Sequence, residues 1–139
     1  MKDLIANLYE FWGGAYLGPF SDDMYSIDQY FPIAIYSIIT AIVITIIYYY
    51  VLDRPATAKK RFWLLALLLG GIISFVIAFV TSNNGLTEMF IQVGVPVPAG
   101  YTTDILQFSL INVFWTIILI FLLSMAIKWK SKNSSYIPF

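Results

Sequence analysis

The chain has 139 residues, 60% of them hydrophobic, 18% aromatic and only 12% charged, with a formal net charge of zero and a mean hydropathy of +0.79. It is far more apolar, and about half as charged, as an ordinary soluble domain. It contains no Cys and no His, which excludes disulfides, thiolate chemistry, imidazole metal sites and histidine proton relays within this chain.

Residues 1–29 form an acidic arm. Asp3 is placed to cap a short helix, and Leu4, Leu8, Phe11 and Trp12 recur at helical spacing before Gly13 and Gly14 end it. Such an amphipathic helix is expected to lie flat at the outer headgroup boundary, or to pack on the outer domain of a partner subunit. The first 28 residues carry one Lys, five acids and no apolar core of signal length, so no cleavable signal is expected. Asp22, Asp23 and Asp28 do not match the spacing of a calcium-binding loop and are expected to form a polar linker rather than a metal site.

Three stretches contain no Asp, Glu, Lys or Arg: Gln29 to Leu52, Phe62 to Thr87 and Ile105 to Ile127. Each exceeds the roughly 20 residues needed to cross a hydrocarbon core about 30 Å thick. The pattern predicts an all-α integral membrane protein with three transmembrane helices in a single membrane domain.

The first span is expected over 30–52, with Pro32 in its first turn and Tyr48, Tyr49 and Tyr50 at the inner interface. Ser37, Ala41 and Thr45, preceded by Ala34, put small residues along one face. Residues 53–61 form a short basic loop in which Pro55 helps to end the helix, so the first two spans are expected to be an antiparallel pair.

The second span is expected over 62–80, anchored by Trp63. Here Ala66, Gly70, Ser74 and Ala78 recur every fourth residue and continue to Ser82, making a flat groove that lets another backbone approach closely. Either span one or a second copy of the chain can fill it. Residues 81–104 are expected to be an outer loop, with a turn at Ser82-Asn83-Asn84-Gly85 and two helical turns over Leu86–Val93 closed by Gly94. Pro96 and Pro98 then favour extended chain. Met89, Phe90, Ile91 and Val93 are too apolar for a free loop and point to docking at the interface or on a partner.

Asp104 and Gln107 make a capping box for a third span over 105–127. Along it run Ser109, Asn112 and Thr116, with Gln107 near the mouth and Ser124 further inward. An amide facing lipid is costly, so Asn112 is expected either to make an interhelical hydrogen bond, the favoured alternative, or to line a pore. Trp129 closes the span, and 128–139 is a short basic tail whose sequon at Asn133 is expected to be silent on the inner side.

Seven of the eight cations, Arg54, Lys59, Lys60, Arg61, Lys128, Lys130 and Lys132, lie in the first loop or the tail. Seven of the eight acids, Asp3, Glu10, Asp22, Asp23, Asp28, Glu88 and Asp104, lie in the arm or the second loop. With three spans these sets fall on opposite faces, so the excess of Lys and Arg predicts N-out, C-in topology, with the cations among anionic headgroups. A bacterial inner membrane is the expected location, and an organellar inner membrane is the alternative.

No span carries an ionisable group at depth, and no phosphate loop, nucleophile elbow or metal-ligand pair is present. The expectation is a non-enzyme without catalytic residues, cofactor or metal. It is read as a small anchor or scaffold subunit of a larger membrane complex, assembling through its small-residue faces. Its expected partners are membrane lipids and either further copies of itself or other membrane subunits, with no nucleic acid. The alternative is a homo-oligomeric pore. In length, N-out and C-in layout and short basic tail, the chain resembles phage holins of the three-span type, which implies membrane permeabilisation; the long acidic arm departs from that pattern.

Overall fold

The computed structural model describes residues 2–52, 54, 59–131, 133 and 137. Among them every regular element is helical: α1 (Lys2–Tyr9), α2 (Pro19–Ser26), α3 (Tyr30–Ile46) continued by a π-helical turn (Ile47–Val51), α4 (Lys60–Val93), α5 (Tyr101–Ile127) and a closing 3-10 turn (Lys128–Lys130). Three helical stretches, Tyr30–Val51, Lys60–Val93 and Tyr101–Lys130, are long and apolar enough to cross a membrane. Their outward faces expose Ile39, Leu64, Leu68, Leu110 and Leu122, a surface suited to lipid rather than water. The expected end of span one at Pro55, and Lys132, lie outside the described residues.

The elements differ from expectation in four places. The turn at Ser82–Gly85 and the separate outer loop do not form, because α4 runs unbroken for 34 residues to Val93. Ser82 and Leu86 are both fully buried and prolong the every-fourth-residue face of Ala78 by two more turns. The burial of Leu86, with continuous backbone bonding, outweighs the preference of about 1 kcal/mol by which one glycine disfavours a helix. The helix stops where expected: Gly94 adopts φ 77°, and the bonds Val95 N–H to Phe90 O (3.1 Å) and Gly94 N–H to Ile91 O (3.1 Å) make a Schellman end.

Helix α5 starts at Tyr101, before the Asp104–Gln107 box. The Thr103 and Asp104 amides bond back to Gly100 O, and the Asp104 carboxylate falls inside the first turn, where it complements the helix dipole. At the other end of the chain α1 stops at Tyr9 rather than Trp12. Phe11 and Trp12 take left-handed φ values of 48° and 55°, and Trp12 N–H closes a wide turn onto Asn7 O. The fourth difference is α2, formed where a linker was expected. Gly18 supplies φ 63° and Pro19 opens the helix, the position in which proline loses nothing.

The chain divides into two compact units, residues 1–36 with 75–112 and residues 37–74 with 113–139. The first has its own aromatic core. Tyr9, Phe20, Met24, Tyr30, Ile33, Leu86, Tyr101, Ile105 and Phe108 are buried, and the Phe108 ring lies 5.2 Å from Tyr9 and 5.6 Å from Tyr30. Ala6 and Tyr9, not Leu4, are therefore the inward residues of α1, and Trp12 beyond it is exposed.

In the second unit Tyr48, Tyr49, Trp63 and Ile137 form a buried cluster with Phe62, Leu67, Phe121 and Ile127 packed around it. The π turn explains how two adjacent tyrosines both point inward. Leu52 N–H reaches back five residues to Ile47 O at 2.8 Å, and the widened turn rotates Tyr48 into the face that Tyr49 occupies. Tyr49 then donates to Ile137 O at 2.8 Å. Of the three tyrosines expected at the interface, only Tyr50 is exposed.

Candidate functional site

The small-residue faces turn inward. Gly70, Ser74, Ala78, Ser37, Ala41 and Thr45 are buried and Ala66 is half-buried. In the second unit, a Cβ on Gly70 would collide with Ile120 Cδ1 and meet Ile44 Cγ1 at 3.7 Å, so the groove is occupied by side chains of α5 and α3 of the same chain. Next to it Ser74 and Thr116 share a hydrogen bond of 2.6 Å, and Trp63 Nε1 donates to Ser124 Oγ at 3.2 Å. Thr45 Oγ1 donates to Ala41 O at 2.7 Å, as a hydroxyl in an apolar helix does to stay satisfied.

In the first unit Ser109 Oγ donates to Ile105 O at 2.7 Å, and the fully buried Asn112 accepts from the Tyr9 hydroxyl on Oδ1 at 2.7 Å. Sequence patterning singled out Asn112 but not Tyr9, which lies off the Leu4, Leu8, Phe11 and Trp12 stripe. The only local signal is its spacing of three from Ala6, the second inward position of α1.

Around this contact the arm carries a set of tyrosine–carboxylate pairs. Tyr30 donates to Glu10 Oε1 at 2.8 Å, while the Tyr25 and Tyr101 hydroxyls make short contacts with Asp3 and Asp23. The hydrogen bond to Asp22 holds the exposed Tyr16 phenol above its ordinary pKa of 10, and the bond to Asp3 does the same for Tyr25. Lys2 Nζ lies 4.5 Å above the Tyr25 ring and 3.7 Å from Asp28. Asp3, Asn7, Glu10, Tyr16, Asp22 and Tyr25 line a cleft of about 270 Å³. Among the described residues no group of three or more His, Cys, Asp or Glu side chains is arranged for a metal ion.

Gln29, which sequence patterning passed over, is the other connecting residue. Its Nε2 donates to Thr81 O at 2.8 Å, and a Cβ at position 85 would stand 2.7 Å from that nitrogen. Gly85 thus leaves room for the Gln29 amide, which a Cβ would displace, although it had suggested a turn.

Of the cationic set, Arg54, Lys59, Lys60, Arg61 and Lys130 are exposed and Lys128 is partly so. The charge partition follows the two units: Asp3, Glu10, Asp22, Asp23, Asp28, Glu88 and Asp104 belong to the first, whereas the second contains Arg54, Lys59, Lys60, Arg61, Lys128 and Lys130. No protein-family model, curated protein or solved structure matches the chain.

Proposed function

We propose that the chain is a non-catalytic integral membrane subunit, an anchor and scaffold with the arm on the outer side and the basic segments on the inner side. The observation that supports this reading best is the engagement of Asn112. Its carbonyl is buried and accepts from Tyr9, which supports a packing role for this amide over a place on a water-filled path. A pore lining needs that amide facing a lumen.

The scaffold reading also changes which surfaces are offered for assembly. The small-residue groove is filled from within the chain, which leaves the acidic arm and the outer stretch of α4 as the surfaces for other subunits. At about 1.5 Å per residue, α4 is about 51 Å long, some 20 Å more than the hydrocarbon core requires. Thr81 to Val93 supply that excess.

Reconstitution into dye-loaded vesicles tests the proposal. The scaffold reading expects no dye release, and expects a stoichiometric membrane complex that is lost when residues 2–29 are removed. Release that Asn112→Leu and Thr116→Val block without dispersing the protein overturns it in favour of the pore.

A further inference from the structure

We propose that the first unit holds one phospholipid in a defined place, and that the lipid is of the ethanolamine class. Two clefts lie along α4. Tyr36, Val76, Ile77, Val80 and Thr81 line an apolar groove of about 420 Å³. Ile27, Gln29, Gly85, Glu88, Met89 and Gln92 line a mixed cleft of about 210 Å³. The two adjoin, since Thr81 borders the groove, Gln29 borders the cleft, and Gln29 Nε2 donates to Thr81 O.

From Val76 to Glu88 the rise along the helix is about 18 Å, which matches a headgroup, its glycerol and the first part of an acyl chain. The order of chemistry matches as well. Val76, Ile77 and Val80 belong to the apolar span, and Thr81 to Glu88 is the first polar stretch after it. A chain packs in the groove and a headgroup lies beside Glu88.

The headgroup class follows from the charge and hydrogen-bonding character of the cleft. Glu88 is its one charged side chain, is exposed, and has no ion-pair partner among the described residues, where the pair of Lys2 with Asp28 is separate. An anionic glycerol headgroup would be repelled. Gln29 gives one of its two Nε2 hydrogens to Thr81 O, while its Oε1 and the Glu88 carboxylate are acceptors on residues that line the same cleft. Acceptors favour a primary ammonium, with its three N–H donors, over a choline that has none. Gly85 keeps this arrangement open, because any larger residue would displace Gln29.

The inference rests on the membrane placement of the three spans and not on the scaffold role. The test is native mass spectrometry of the full chain in mild detergent with equal amounts of ethanolamine, choline and glycerol phospholipids of identical chains. The ethanolamine lipid is expected to be retained about tenfold over the other two, the equivalent of one charge-assisted hydrogen bond. Glu88→Gln, an exposed change, is expected to bring ethanolamine and choline lipids to parity. Val80→Trp fills the groove and is expected to reduce retention of all three, whereas Leu68→Trp, on an exposed face of the other unit, leaves it unchanged. Soluble glycerophosphoethanolamine is expected not to compete, because it lacks the chain; competition would place recognition in the headgroup cleft alone and overturn the lipid. Equal retention of the three lipids, or an unaltered preference in Glu88→Gln, overturns the headgroup assignment. Failure to co-sediment with vesicles would instead reject the membrane placement.

Discussion

The Tyr9 hydroxyl donates to Asn112 Oδ1 at 2.7 Å, tying the first helix of the arm to a side chain buried within α5. Tyr9 is 3% exposed and Asn112 is fully buried, so the bond forms away from solvent on both sides. Its ring also stacks obliquely on Tyr30 and Phe108, at 5.9 Å and 5.2 Å. Tyr9→Phe therefore keeps most of the packing and removes the bond. It is expected to cost about 1 kcal/mol, and Asn112→Leu about 1 to 2 kcal/mol. A double-mutant cycle on unfolding in bicelles should return a coupling of about 0.6 kcal/mol or more. Zero coupling would mean the two residues act independently.

Gly70 is the tightest point of the small-residue face. Gly70→Ala must turn aside the Cδ1 end of Ile120 but gains about 1 kcal/mol of helix preference, so it is expected to lie within about 1 kcal/mol of wild type, whereas Gly70→Leu overfills the face and is expected to destabilise by about 1 to 3 kcal/mol. Leu68→Ala, on a 57% exposed position, is expected to stay within about 0.5 kcal/mol of wild type. Thermal unfolding of the three variants checks the order. A neutral Gly70→Leu would show that the face is not packed within the chain.

The Tyr16 and Tyr25 phenols titrate above their unfolded value of 10.0, chiefly because each donates to a carboxylate, Asp22 and Asp3 respectively. A raised folded pKa contributes stability that is fully present below pH 10 and is lost as pH rises through the folded value. The arm is therefore expected to loosen in alkali. Phenolate absorbance during titration should show a late component that moves toward 10 in Asp3→Asn and Asp22→Asn. Curves identical to wild type would remove the carboxylates as the cause.

The chain lacks native thiols, so single-cysteine labelling reports topology directly. An impermeant reagent applied from outside is expected to label Asp22→Cys and to spare Lys130→Cys until the membrane is opened. The reverse pattern would invert the assignment.

Much of the architecture was legible because span identity is local. Gln29 to Leu52 and Ile105 to Ile127 are uncharged for longer than a bilayer is thick, and no packing detail alters what such a run prefers as solvent. The stop at Gly94 was legible for a similar reason, since a left-handed residue after an apolar run is set by backbone sterics.

What the tertiary structure decided is which surfaces meet. Small residues every fourth position declare a face for close approach, but Ile120 and Ile44 fill it at Gly70 only because of how α3 and α5 pack in that unit. Asn112 declares that it needs a partner, and the partner is Tyr9, 103 residues away. Asn83-Asn84-Gly85 reads as a turn on local preference, yet burial of Leu86 and the approach of Gln29 hold it in helix. Each of these outcomes turns on a contact between residues distant in the chain, whereas solvent preference and backbone sterics act through a residue and its neighbours.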